Sequence, residues 1–377
     1  MTLIRTTASG SLPVTGAWRE GNPLGRREFF ALPGPLRLQG GASLPGARLA
    51  YETWGTLAPD AGNAVLVLHA LTGDSHVAGA VEPGHPTPGW WNELIGPGKP
   101  LDTDRWFVVA PNALGGCQGS TGPSSLEPQG KPWGSRFPVL TLRDLVRAEV
   151  QLADALGVHR WAAVIGGSLG SLRALEWAVD QPDRVKSALL LAGTAVSSAE
   201  QIAWCAAQVH AITGDPAWHG GDFYDEPVGP NVGLGLARRI AHITYRSPAE
   251  LDARFGHAHQ PGEERYAVES YLDHQAWKLV RRFDAGSYVT LTKAMAAYDV
   301  GLDRGGVEAA LRRVTARTVV AGVDSDRLFP LEQQRALAEG IPTSGPLRVV
   351  RSDHGHDGFL IETDQVGHLL TDLLDQV

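Results

Sequence analysis

Trp161-Ala-Ala-Val-Ile-Gly-Gly-Ser-Leu-Gly170 is the stretch whose reading decides the fold. Its first five residues are β-rich and apolar. Gly-x-Ser-x-Gly then appears as Gly166, Gly167, Ser168, Leu169 and Gly170, and a helical pattern with Leu172, Leu175 and Val179 follows. A strand that turns abruptly into a helix needs small residues on both sides and holds the serine between them in a strained backbone. The five-residue motif alone is a weak signal, because small residues are common in turns. With a strand before it and a helix after it, the motif predicts a nucleophile elbow centred on Ser168.

Outward from the elbow, short apolar runs alternate with helical patterns. Ala64–Leu68, Trp106–Ala110, Trp161–Ile165, Ala188–Ala192, Thr318–Ala321 and Leu347–Val350 read as strands. They are nearly continuous in apolar residues, as strands buried on both faces of a parallel sheet are. Thr141 and Asp144 have capping-box spacing, and Leu142, Leu145, Val146, Leu152 and Leu156 recur at roughly helical spacing after them. This alternation predicts an α/β protein with a mostly parallel, doubly wound sheet. Residues up to about Phe30 are rich in Gly, Pro and Arg and read as an irregular arm. Residues 196–300 have helical patterning, many aromatics and few strand-like runs. The expected organisation is a core in two parts, 1–195 and 301–377, with a helical lid inserted at 196–300. Such insertions are tolerated in loops at the C-terminal edge of a sheet, where ligand sites of this class lie.

Composition narrows the function. The chain has 377 residues, 43% of them hydrophobic, enough for a large core. Its formal net charge of -8 disfavours nucleic acid or an anionic membrane as a partner. Ser187 to Ala199, the least charged stretch, falls well short of the ~20 apolar residues of a membrane span. The two cysteines and the absence of a recognisable signal sequence lead us to expect reduced thiols and a cytoplasmic location.

A serine hydroxyl needs a base, and the base needs an acid to orient it. In elbow hydrolases the chain order is Ser, then Asp or Glu, then His. Asp324 and Asp326 follow one late strand, and His354 and His356 follow the next. Position does not choose within either pair. Two backbone N–H groups must hold the oxyanion, and the expected donors are Leu169, next after the serine, and Leu71, in the loop after Leu68. Cys117 lies in a Gly-rich loop with no elbow around it and reads as a loop thiol. His354-Gly-His356-Asp357 has no companion cluster with ligand spacing, so no metal site is expected. The glycines around 115–122 are not followed by Gly-Lys-Ser/Thr and do not make a phosphate loop.

Longer blocks carry a resemblance. They include His69-Ala-Leu-Thr-Gly-Asp74, Gly89-Trp-Trp91, Leu94-Ile-Gly-Pro-Gly-Lys99 and Leu114-Gly-Gly-Cys-Gln-Gly-Ser-Thr-Gly-Pro-Ser-Ser125. Further on come Ala174-Leu-Glu-Trp177, Ala237-Arg-Arg-Ile-Ala-His-Ile-Thr-Tyr245, Glu269-Ser-Tyr-Leu272, Arg282-Phe-Asp284, Ser325-Asp-Arg-Leu-Phe-Pro330 and Gly355-His-Asp-Gly-Phe-Leu360. From about residue 45 to the C-terminus the chain closely resembles the homoserine O-acetyltransferases, α/β-hydrolase-fold enzymes of methionine biosynthesis. The resemblance implies Asp326 as the acid and His356 as the base. It further implies that Asp357 contacts the substrate ammonium and that Arg238 and Tyr245 contact substrate from the lid, with Arg239 an adjacent competitor. An arginine fork suits a carboxylate and a buried Asp suits an ammonium. Also implied are acetyl-CoA as co-substrate, L-homoserine as acceptor, no permanently bound cofactor, and a homodimer built through the lid. Leu169, Ser171, Asp273, Ala276 and Trp277 depart from the common family pattern, which leaves acyl and acceptor choice more open than the triad. Succinyl-CoA as donor, serine as acceptor and plain ester hydrolysis are the alternatives. A catalytically silent binding protein of the same fold would have lost a triad member, and none is missing.

Overall fold

A computed structural model describes residues 12–377. We number the eight strands of the main sheet in chain order. They are β1 (Glu28–Ala31), β2 (Arg48–Trp54), β3 (Ala64–Leu68), β4 (Phe107–Pro111), β5 (Ala163–Gly167), β6 (Ser187–Leu191), β7 (Arg317–Val323) and β8 (Arg348–Val350). Their spatial order is β1-β2-β4-β3-β5-β6-β7-β8. Strand β2 runs antiparallel to both its neighbours, and every pairing from β4 across to β8 is parallel.

Alternation along the central strands builds two cores. Leu66 and Leu68 of β3, Val164 of β5 and Leu190 of β6 face one side, packed with Leu145 and Leu175. Val65, Val67, Ile165, Leu189 and Leu191 face the other, packed with Val366, Leu370 and Leu373. The period of two is hidden in the sequence because both faces are buried and both are apolar. Helices α1 (Leu142–Ala155) and α2 (Leu169–Asp180) cover the first face. The expected capping box is present at the start of α1, Thr141 accepting from Asp144 N and Asp144 from the Thr141 backbone.

Between β6 and β7 the chain forms α3 (Ala199–Thr213), α4 (Asn231–Tyr245), α5 (Pro248–Phe255), α6 (Ala267–Val280), α7 (Ala285–Ala296) and the short α8 (Val307–Leu311). The first five leave and return through a narrow neck. Ser197 N donates to Tyr298 O at 3.0 Å, and Val300 N donates to Ala195 O at 3.0 Å. Helices α9 (Leu331–Gly340), α10 (Gly358–Ile361) and α11 (Thr363–Leu374) complete the fold, and α11 lines the second face.

Two differences from the sequence reading concern the edge. The arm expected up to Phe30 already enters the sheet at Glu28 as β1, and its residues 1–11 lie outside the described part. Strand β2 carries Arg48 and Glu52, which conceal its strand pattern. Glu52 is nonetheless fully buried, because Ser75 Oγ donates to it at 2.8 Å and His76 Nδ1 lies 3.0 Å away.

Candidate active site

Four strands, β3, β5, β7 and β8, deliver their following loops to the same C-terminal edge of the sheet. Ser168 follows β5 directly and stands at φ 57° and ψ -125°, outside the ordinary regions for a residue with a side chain. The small neighbours permit this. A Cβ on Gly166 would lie 2.0 Å from the Gly170 carbonyl oxygen, and one on Gly170 would lie 2.0 Å from that of Leu68. A Cβ on Gly167 would strike the Phe359 ring at 2.6 Å. The turn is therefore closed to any larger residue at these three places.

Ser168 Oγ lies 2.8 Å from His356 Nε2, and His356 Nδ1 lies 2.6 Å from Asp326 Oδ2. All three residues are buried. Asp326 Oδ1 accepts from Leu328 N at 2.8 Å and from Phe329 N at 2.9 Å, which fixes the carboxylate. Burial alone would pull the His356 imidazole down. The Asp326 charge and hydrogen bond outweigh it, with help from Asp357, and leave its pKa above the ordinary value. Asp324 points elsewhere, accepting from Ser352 N at 3.0 Å and from Arg351 at 3.1 Å. His354 lies 3.3 Å from Glu250. Of the two ambiguous pairs, Asp326 and His356 are the members joined to Ser168 by this run of contacts, and Asp324 and His354 are not.

Leu71 sits in the loop after β3. His69 pins that loop, its Nδ1 against Ala70 O at 2.7 Å and its Nε2 accepting from Ala113 N at 2.9 Å. Burial depresses the His69 pKa to about 3, so the ring is neutral and its tautomer fits this pattern. Leu169 is the first residue of α2, where backbone N–H groups lack intrahelical partners. Among the described residues neither Leu71 N nor Leu169 N donates to a protein acceptor.

Arg238 and Arg239, adjacent on α4, separate. Arg239 donates to Asp273 twice, at 2.8 and 2.6 Å. Arg238 reaches Thr72 Oγ1 at 3.3 Å and stacks over Tyr245 at 5.5 Å, and its buried Nε has no hydrogen-bond partner among the described residues. The Tyr245 ring lies 5.7 Å from that of His356. Burial pushes the Tyr245 phenol up to about 12, so it stays protonated and able to donate. Asp357 lies beside His356 with its side chain largely buried. Burial raises its carboxyl pKa, and Arg246, Arg238 and His356 oppose that shift. These residues lie together: a serine hydroxyl joined to an imidazole and a carboxylate, two backbone N–H groups, one guanidinium and a second carboxylate.

The sequence reading missed Arg246 and Arg282. Arg246 lies 3.2 Å from Asp357, and Arg282 donates to Thr72 O at 2.8 Å, next to Leu71. Arg246 directly follows the quoted block that ends at Tyr245, and Arg282 opens the quoted block Arg282–Asp284 without having been assigned a role there, which was the available signal. The Cys117 thiol is buried and pushed well above its usual range by desolvation, which suits a loop thiol and not a nucleophile.

The residues of the site do not suit a metal. His356 is engaged at both ring nitrogens. Elsewhere, Glu52, His76 and His85 lie close together in the core. The two rings stack in parallel, 3.8 Å apart at 8°. Ring lone pairs lie in the ring planes, so parallel rings do not converge on one ion. Arg26 N also donates to His85 Nε2 at 3.2 Å.

The α/β hydrolase fold family model matches residues 63–363. A homoserine O-acetyltransferase of Thermobifida fusca strain YX is 64% identical over 371 residues, 97% of this chain and 98% of the relative. The crystal structure of homoserine O-acetyltransferase from Bacillus anthracis superposes with TM-score 0.84 at 26% identity, covering 93% of this chain and 97% of that one. An acetylester hydrolase from Corynebacterium glutamicum superposes with TM-score 0.78, also at 26% identity, with the same coverage. The chain belongs to the homoserine O-acetyltransferase family of α/β-hydrolase-fold proteins.

Proposed function

We propose that the chain transfers the acetyl group of acetyl-CoA to the hydroxyl of L-homoserine through an acetyl-Ser168 intermediate, a step of methionine biosynthesis. The observation that carries this reading is the buried Ser168–His356–Asp326 relay in a chain 64% identical to a homoserine O-acetyltransferase.

His356 Nε2 takes the Ser168 proton as Oγ attacks the thioester carbonyl, and Asp326 balances the imidazolium. Leu71 N–H and Leu169 N–H hold the oxyanion. Collapse expels the CoA thiolate, which takes the proton from His356. Homoserine then enters with its carboxylate toward Arg238 and Tyr245 and its ammonium toward Asp357. His356 deprotonates its hydroxyl, which attacks the acetyl carbonyl. Ser168 leaves and recovers the proton. No permanently bound cofactor takes part.

Residues 196–300 serve as the lid of this site, since Arg238 and Tyr245 reach the core from α4. We also propose a homodimer through the lid, supported by Val232, Leu236 and Ile243, exposed along α4. No helix among the described residues is long and apolar enough to cross a membrane, which accords with a cytoplasmic location.

The second reading is ester hydrolysis, favoured by the likeness to the acetylester hydrolase. A donor–acceptor matrix separates the two. Acetyl-CoA and succinyl-CoA are each given homoserine, serine or water alone. Rapid O-acetylhomoserine formation with slow CoA release in water supports transfer, and equal rates with and without acceptor support hydrolysis.

A further inference from the structure

Arg246 is the C-cap of α4, in extended conformation at φ -98° and ψ 146°, directly after Tyr245. Its guanidinium bridges two acids from two different elements. Nη2 lies 3.2 Å from Asp357 Oδ2, in the turn that carries His356. Nη1 lies 3.1 and 3.3 Å from the two carboxylate oxygens of Glu250 on α5. All three side chains are largely buried, so solvent screens the cluster weakly.

The backbone around Arg246 is locked to the same turn. A Cβ on Gly355 would lie 2.5 Å from Tyr245 O and 2.8 Å from Ser247 N. Ser247 Oγ donates to Asp353 O. The end of α4 and the loop from Asp353 to Asp357 are therefore packed directly against each other. Asp357 Oδ1 accepts no hydrogen bond among the described residues.

Charge makes the arrangement selective. Arg238 and Arg246 supply two positive charges near Asp357, and Asp357 and Glu250 supply two negative ones. Glu250 also faces the exposed Arg254 at 4.0 Å and His354 Nδ1 at 3.3 Å, but Arg246 is its bidentate partner. With Arg246 offset by Glu250, the pocket presents the Arg238 guanidinium and the open Oδ1 of Asp357. That pair matches a zwitterion. Without Glu250 the ammonium of the acceptor would meet a second, uncompensated cation at close range.

We propose that Arg246 is the positioning residue for the acceptor's amino group, clamping Asp357 from α4, and that Glu250 cancels its charge so that the ammonium is admitted. This rests on the acceptor reading above. The test uses the full chain and measures the acceptor KM and the CoA burst for wild type, R246Q, R246K and E250Q. The acceptors are L-homoserine and γ-hydroxybutyrate, its amino-free analogue. R246Q should raise the homoserine KM by about tenfold or more, the loss expected for one charged contact, while the burst amplitude persists. R246K should recover most of that loss. E250Q should raise the homoserine KM severalfold and leave that for γ-hydroxybutyrate unchanged. An unchanged homoserine KM in both R246Q and E250Q overturns the inference. So does an equal loss for the two acceptors, or loss of the burst, each of which assigns Arg246 a merely structural role. Should R246Q fail to fold, the two acceptors with E250Q decide alone. A wild-type enzyme that acetylates no homoserine removes the acceptor reading itself, a result visible before any variant is made.

Discussion

Asp326 Oδ2 stands 2.6 Å from His356 Nδ1, while Asp324, two residues earlier in the chain, turns away to Arg351 and the backbone of Ser352. The two carboxylates should therefore differ sharply in consequence. D326N leaves an amide where the imidazole needs a charged acceptor, and kcat should fall by roughly 10⁴-fold. D324N should stay within about threefold of wild type, because a partly exposed ion pair contributes little. Steady-state kinetics on both variants checks the ranking, and a reversed order would misplace the acid by two residues.

Ser168 should be the sole site of acyl capture. S168A should lower kcat by a factor on the order of 10⁴ to 10⁶. Acetyl-CoA without acceptor should add one acetyl group to the peptide holding Ser168. Mass spectrometry of the quenched protein reads this directly, and acetyl on the Cys117 peptide would overturn the assignment.

The pH profile follows from the direction of the His356 shift. The base works only when neutral, and Asp326 holds its pKa above the ordinary imidazole value of about 6.5. Activity should therefore rise with pH through a midpoint above about 6.5 and be lost as pH falls below it. In D326N the residual activity should show this limb displaced downward, since the charge that raised it is gone. A log kcat/KM profile for acetyl-CoA, which reports the free enzyme, tests both statements.

Arg238 should matter for the second half-reaction. Its buried Nε has no hydrogen-bond partner among the described residues, and its neighbour Arg239 is committed to Asp273. R238A should still release a burst of CoA and then slow about 10- to 150-fold at the homoserine step. A lost burst would tie Arg238 to the CoA half-reaction, and an unchanged steady state would remove it from the site.

The elbow itself should tolerate no methyl group. A Cβ at Gly170 meets the Leu68 carbonyl at 2.0 Å, a backbone atom that cannot swing aside. G170A should destabilise the fold by at least ~1–3 kcal/mol, the range for overpacking, and should misplace Ser168 as well. Urea denaturation together with the burst assay measures both effects, and a variant with wild-type stability and burst would contradict this geometry.

The parallel centre of the sheet was legible because Val65, Val164 and Leu190 belong to strands buried on both faces, which leaves apolar runs in the sequence. Strand β2 was not, because Glu52 interrupts it with a charge that only the folded partners Ser75 and His76 make tolerable. Ser168 was legible because its strain demands glycines within two residues, a local signature. The choice between His354 and His356 was not local. It depends on which ring the loop turns toward Ser168, and Gly355 at φ 64° sets that turn by pressing against Tyr245. Arg246 escaped notice for a related reason: Glu250 stands only four residues on and reads as an ordinary local ion pair, while the other acid, Asp357, comes from a distant part of the chain.

The neck formed by Ser197 with Tyr298 and by Val300 with Ala195 brings the ends of a long excursion together. The strands β6 and β7 therefore pair as though joined by a short connection, and the core is indifferent to how much chain lies beyond those hydrogen bonds. Loop-closure entropy grows only logarithmically with length, so lengthening that excursion adds little to the burden of folding the sheet. Chain can accordingly be inserted into or trimmed from the outer part of that excursion without disturbing the sheet, whereas the end of α4, against which Gly355 packs, has to be kept if the turn carrying His356 is to stay in register.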